Sequence, residues 1–350
     1  MFWGSRHGRA SDVGFRTRVI ELVFLLGCAN IGGWIWAFVV FRDNSILLGT
    51  ALLSYVLGLR HAVDADHIAA IDNVTRKLVQ EGKRPASVGL FFSLGHATIV
   101  VIGSLIAYSM ASAAEKQFGW VKSIGTVVGT SVSCAFLIMI ALINLVILGR
   151  LWCNFRDPHN GHIPQHETQD VLSGGGLLTR MLRPVFRMLS KPWHMYPVGF
   201  LFGLGFDTTT EIAVLGISAA AATKGLAIGA MAVFPFLFAV GMTLVDTADG
   251  ILMVKTYGWA FVKPDRKLYY NFTITIISVA IALVIAGIEA VGLLKDQLNL
   301  TGRLSEYVNS VINSFDAIGF ATILLLVAIW LGSVAFSRLK RVREVRRVSP

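Results

Sequence analysis

The sequence predicts an all-α integral membrane protein of eight transmembrane helices, with both termini in the cytoplasm and residues 1–350 forming one polytopic membrane domain. Three observations carry this. Of 350 residues, 55 % are apolar and only 15 % charged, where a soluble domain averages about 25 % charged. Apolar runs of about 20 residues, enough to cross some 30 Å of hydrocarbon as helix, recur eight times. Lys and Arg are rich and poor in alternate connecting segments.

The runs lie near 19–41, 46–70, 87–110, 124–149, 196–219, 227–253, 271–294 and 316–337. They are long and continuous, without strand-type alternation, which selects helices over a barrel. The first is too long for a signal-peptide core and no clean cleavage site follows it, so it is retained as an anchor. Of the 31 Lys and Arg, 24 fall in the N-terminus 1–18, in 71–86, 150–195 and 254–270, and in the tail 338–350. Six fall in 42–45, 111–123, 220–226 and 295–315, and Arg60 lies inside the second span. This positive-inside pattern puts both termini in the cytoplasm. The net charge of +10 and the tail "RLKRVREVRR" are thereby topology anchors beside anionic lipid, with no nucleic-acid partner implied. Cys28, Cys134 and Cys153 form no CxxC, which argues against a disulfide framework or a thiolate metal site.

The segment 150–195 separates spans one to four (19–149) from spans five to eight (196–337). It holds "DPHNGHIPQHE" and "SGGG", a turn-rich linker. His159, His162 and His166 lie there at a spacing that matches no closed metal site, and read as part of a solvated loop. "AVDADHI" in the second span echoes "LVDTADGI" in the sixth, which suggests a 4+4 repeat of the kind transporters use.

Ionisable residues inside a bilayer cost at least about 2.5–3.5 kcal/mol each and ask for a function. They concentrate in four spans: His61, Asp64, Asp66, His67 and Asp72 in the second, His96 in the third, Asp207 and Glu211 in the fifth, Asp246 and Asp249 in the sixth. His96 and Asp207 lie roughly ten residues, about 15 Å, inside their spans. All four sets then fall between the midplane and the cytoplasmic side, where one shared cavity is the cheapest arrangement. On an ideal helix Asp64 and His67 lie at about −60° and −120° from His61, while Asp66 lies at about +140°. His61, Asp64 and His67 thus share a face. Asp66 joins them only if the helix is distorted; otherwise it supports from outside. Imidazole nitrogens with carboxylate oxygens suit a borderline divalent cation such as nickel, cobalt or zinc. Glu21, Lys255 and Glu289, near span ends, are read as snorkelling to the interface. The patterns "GFLFG", "GLAIG" and "GTVVG" are read as helix-packing glycines. Thr208, Thr209 and Thr210 either tie the fifth span to its neighbours or line the cavity. Asn30 is read as a structural hydrogen-bonding residue.

"RHAVDADHIAAIDN" resembles the second-span signature of the nickel–cobalt transporter family, whose core of His, four residues, Asp, His falls here on His61, Asp66 and His67. "LGHAT" (94–98), "LGFDTTTEI" (204–212) and "GMTLVDTADG" (241–250) are similar to the family's other motifs, in the same order. The likeness is strongest to the HoxN-type high-affinity nickel permeases. It implies a single-component permease, not an enzyme, that takes up Ni²⁺, and in some members Co²⁺, as substrate and needs no cofactor. It implies a metal site at His61, Asp66 and His67 with Asp64, and supporting roles for His96, Asp207, Glu211, Asp246 and Asp249. No GxxxxGK[ST] loop occurs, so the sequence requires no ATPase subunit. Membrane potential or proton exchange would drive uptake. Export through the same site is an alternative. A membrane metalloenzyme is disfavoured, since only His61, His67 and His96 lie in the spans.

Overall fold

A computed structural model describes residues 4–110, 115–156, 189–205, 208–260, 264–298 and 302–312, with some positions between 314 and 328. The loop histidines His159, His162 and His166 and the tail 338–350 lie outside the described residues. The described chain is helical, as apolar segments without alternation demand: a helix satisfies its backbone polar groups internally. The order is α1 (Gly4–Phe41), α2 (Ser45–His61), α3 (Ala65–Gln80), α4 (Val88–Met110), α5 (Glu115–Arg156), a short 3₁₀ turn (Pro192–His194), α6 (Met195–Gly203), α7 (Thr209–Thr223), α8 (Ile228–Met231), α9 (Val233–Ala260), α10 (Pro264–Gln297) and α11 (Arg303–Ile312).

Among the described residues, five helical stretches are long and apolar enough to cross a membrane: Gly14–Phe41, Val88–Met110, Val127–Val146, Ile228–Tyr257 and Thr275–Lys295. A sixth arises if α2 and α3, bent by 51°, form one broken span. The run expected as a continuous fifth span, 196–219, is instead two short helices, α6 and α7. Most of the eighth, 316–337, lies outside the described residues. Helices also overrun their expected ends. α5 begins inside the 111–123 connection and runs to Arg156, and α9 reaches Ala260.

α9 is the central element, packed against α1, α2, α3, α4 and α7, while α10 lies along α5 and α6 along α4. α1 shows Ile20, Phe24, Ile31, Ile35, Phe38 and Val39 on its outer surface. So extended an apolar surface belongs against lipid. α3 is the opposite case: a helix with several charged residues, yet buried from Ala65 to Val79 apart from a half-buried Asp66. Its polar side chains find partners. Arg76, 1 % exposed, donates to Thr275 Oγ1 and Asn73 Oδ1, each at 2.9 Å, and Asn144 Nδ2 donates to the same Asn73 oxygen. Asp72 accepts from Tyr257 and from Ser278 Oγ. Lys77 and Lys83 donate to the carbonyls of Leu189 and Ser190, which pins the end of the central connection beneath α3.

Two expectations need correction. Glu289 does not snorkel: it is buried and accepts from Ser133 Oγ at 2.9 Å, because α5 and α10 pack too closely there for its carboxylate to reach the interface. "GLAIG" is not a packing motif. Gly225 sits at φ +69° after the end of α7, and a Cβ at Gly229 would meet nothing within 4 Å. Gly199, by contrast, does allow close approach, since a Cβ there would collide with the Phe92 carbonyl. Asn30 donates to Leu26 O and accepts from Tyr55 OH, which ties α1 to α2 away from the charged cluster.

Candidate metal site

The second-span motif falls on a break. α2 tightens at its end, with Val63 N bonded to Arg60 O and Asp64 N to His61 O. Asp64 is then extended (φ −60°, ψ 143°), and α3 restarts at Ala65. The break lets His61, the last residue of α2, and His67, in the first turn of α3, turn toward one centre. A second break, at 204–208, lies opposite. Thr208 is extended at the head of α7 (φ −90°, ψ 144°), and Glu211 follows in the first turn.

Three imidazoles meet between these breaks. The ring centroids of His61, His67 and His96 are 4.7, 4.7 and 4.8 Å apart. Each ring offers a nitrogen, and these lie within 4.8 Å of one another. All three residues are at most 3 % exposed. His61 Nε2 is 2.9 Å from His96 Nε2, which is 2.7 Å from Glu211 Oε1. His61 Nδ1 faces Asp64 Oδ2 at 3.0 Å and Thr210 Oγ1 at 3.1 Å. Thr208 Oγ1 donates to Glu211 Oε2 at 2.9 Å. His67 Nδ1 faces Asp246 Oδ2 at 3.3 Å, while His67 Nε2 and Asp246 Oδ1 have no hydrogen-bond partner among the described residues. The edge-on Phe92 ring at 4.8 Å closes one side of His67, and Phe238 packs on His61 at 5.5 Å.

This arrangement presents nitrogen lone pairs inward with carboxylates behind them. Asp64 and Asp246 each hold the Nδ1 of an imidazole, which leaves its Nε2 as an acceptor. His61 Nε2, His96 Nε2 and Glu211 Oε1 all converge where only one proton can be shared. That is a poor hydrogen-bond network and a good donor set for a divalent cation of borderline softness.

Of the expected site residues, the structure brings His61, His67, His96, Asp64, Glu211 and Asp246 into direct contact. Asp66 stands beside them in the first turn of α3 and within reach of their charges. Its buried Oδ1 has no hydrogen-bond partner among the described residues, and it is not part of the three-histidine group. Asp249 lies one turn further along α9, and Asp207 falls outside the described residues. His96, expected in support, occupies a corner of the imidazole triangle. Thr208 and Thr210 both touch the site. Phe92 and Phe238 were not anticipated; the one signal for Phe92 was its place one turn before His96 on the same helix face.

Comparison with known proteins bears on the identity of this arrangement. Residues 47–336 match the family described as high-affinity nickel-transport protein. A high-affinity nickel transport protein of Cupriavidus necator is 49 % identical over 327 residues, which is 93 % of this chain and 93 % of that protein. A hydrogenase nickel incorporation protein, HupN, of Bradyrhizobium diazoefficiens is 51 % identical over 312 residues, 89 % of this chain and 81 % of that one. A cobalt transport protein, NhlF, of Rhodococcus rhodochrous is 40 % identical over 301 residues, 85 % of each. No solved structure matches the chain. The matched family model spans the four charged motifs and both broken helices, and the chain belongs to the high-affinity nickel-transport family.

Proposed function

We propose that the chain is a single-component permease that carries Ni²⁺, and Co²⁺ as a second substrate, into the cell. The observation that carries this reading is the buried triangle of His61, His67 and His96 at the meeting of two broken helices. Membership of a nickel-transport family and relatives named for nickel and cobalt transport support it. In this reading the three imidazoles bind the cation, joined by Glu211 and backed by Asp64 and Asp246. Asp66 supplies negative charge near it. The acids offset the cation's charge where water is excluded, and the broken helices supply backbone that need not be continuous through the membrane.

The remaining topology belongs to the same proposal: eight spans, both termini cytoplasmic and the 150–195 connection cytoplasmic, in a bacterial inner membrane. The Lys and Arg asymmetry supports it. The membrane potential favours inward movement of a dication, at about 2.3 kcal/mol per charge per 100 mV. The test is nickel-63 uptake at nanomolar supply in cells that express wild-type or His61→Ala protein at equal levels. The substitution should abolish uptake above background; unchanged uptake would sink the proposal. Competition by cobalt in the same assay measures the second substrate.

A further inference from the structure

The carboxylates continue past the imidazole triangle, toward the 71–86 end of α3. Asp249 lies three residues beyond Asp246 on α9, on the same helix face. It is 6 % exposed, and neither carboxylate oxygen has a hydrogen-bond partner among the described residues. The helices touch at this level, since a Cβ at Gly250 would come within 3.7 Å of Ile71 Cγ2. Asp249 and Asp72 are the chain neighbours of that Gly250–Ile71 contact, one on each helix, and the charges of Asp72 and Asp246 act on Asp249. Asp72 accepts from Tyr257 and Ser278, and the charge of Arg76 reaches it.

Asp249 stands out in that company. Arg76, Asn73, Asn144 and Asp72 are tied to one another or to hydroxyls, whereas Asp249 has no donor among the described residues. A buried carboxylate without a donor is costly to keep. Asp246 links the two levels, with Oδ2 on His67 and Oδ1 without a partner.

We propose that Asp249 and Asp72 form a second cation station, between the three-histidine site and the 71–86 end of α3, that takes the divalent cation through oxygen donors alone. This rests on the permease reading above and adds a step to it. Oxygen donors hold a borderline cation less firmly than imidazoles, so passage from the triangle to this pair moves the metal from a selective site to a releasing one. Multi-site passage of this kind reconciles tight capture with exit. A cation here competes with Arg76 for Asp72, which shortens its stay.

The experiment is equilibrium binding of nickel-63 to the full chain in lipid nanodiscs, with stoichiometry read to millimolar concentration. Wild type should show two classes, the second at least about tenfold weaker because its donors are oxygens. Asp249→Asn, which keeps the side-chain shape, should lose the weak class and retain the tight one. His96→Ala should do the reverse. If Asp249→Asn loses both classes, Asp72→Asn decides: loss of the weak class alone supports the station, and loss of both overturns it. A wild type with the tight class and no second ion overturns this inference alone, and so does an Asp249→Asn variant that keeps both classes. A wild type with no tight class overturns the permease reading itself.

Discussion

His96 makes the shortest contact in the cluster, 2.7 Å to Glu211, and its Nε2 is also the atom that meets His61. Removing it takes away an inward nitrogen and leaves Glu211 buried with a hydrogen bond from Thr208 and His61 Nε2 at 3.9 Å. Nickel uptake by His96→Ala at nanomolar supply should fall at least about tenfold, the scale seen when groups around a metal site are lost. Thr210 tests a subtler role, because its hydroxyl touches His61 Nδ1 at 3.1 Å. Thr210→Val should raise the half-saturating nickel concentration while Thr210→Ser restores it, read in the same uptake assay. Tyr257→Phe removes a donor from the buried Asp72 and should cost about 1–3 kcal/mol, measurable as a lower thermal unfolding midpoint in detergent. Spacing and depth made His61 and His67 legible from sequence. They placed His96 at the right level but did not show it meeting His61, because that contact joins residues 35 apart on different helices. Glu289 was misread for the same reason: its position near a span end was visible, and its partner Ser133 on another helix was not.

The breaks after His61 and after Gly203 are the elements that make the site, and they differ in how far sequence reveals them. The wheel shows that His61, Asp66 and His67 cannot share one face of a straight helix, yet 61–65 contains no Pro or Gly to mark a stop. Only the buried surroundings force that turn. The fifth-span break follows "GFLFG", whose glycines were read as packing residues. Both meanings hold in this region. A Cβ at Gly199 would collide with Phe92 O across on α4, and one at Gly203 would stand 3.0 Å from His96 O. Gly199→Leu should therefore drive α4 and α6 apart and cost about 1–3 kcal/mol or more, as overpacking does. Gly27→Ala, in α1 with nothing within 4 Å, should be neutral or gain about 0.5–1 kcal/mol from helix propensity. Unfolding midpoints of the two purified variants check the contrast.

Across the whole molecule the structure groups the spans differently from the sequence echo. "AVDADHI" falls on a break and "LVDTADGI" within the continuous α9, so the two do not correspond as backbone. A different correspondence is visible. Tyr55 and Gly58 of α2 recur at the same spacing as Tyr196 and Gly199 of α6, and Phe92 and Gly95 of α4 as Phe238 and Gly241 of α9. The contacts correspond as well. A Cβ on Gly58 would collide with Phe238 O and one on Gly199 with Phe92 O. Gly241 faces Tyr55 O, and Gly95 faces Tyr196 O. Each broken pair, α2–α3 and α6–α7, thus packs on the long helix that follows the other, α9 and α4 respectively, and α5 packs on α10. Helical class and most spans were readable from hydrophobic length. This relation was not, because it rests on a few glycines and aromatics whose meaning appears only once they touch. In intact cells, single cysteines at 111–123 should react with an impermeant thiol reagent, while cysteines at 157–188 should stay protected until the membrane is opened. The reverse pattern would refute the proposed orientation.

The short contact between His96 and Glu211 has a kinetic consequence. One proton is held between a nitrogen and an oxygen that both point at the proposed metal position. No cation can bind to the His96 nitrogen until that proton leaves it, whether it moves to the far side of the imidazole or out of the protein. Metal capture should therefore be slower in heavy water than in light water, and stopped-flow traces of nickel binding to the purified chain should show it. His96→Asn keeps a polar group in place without that shared proton, and should bind more weakly with the isotope dependence gone.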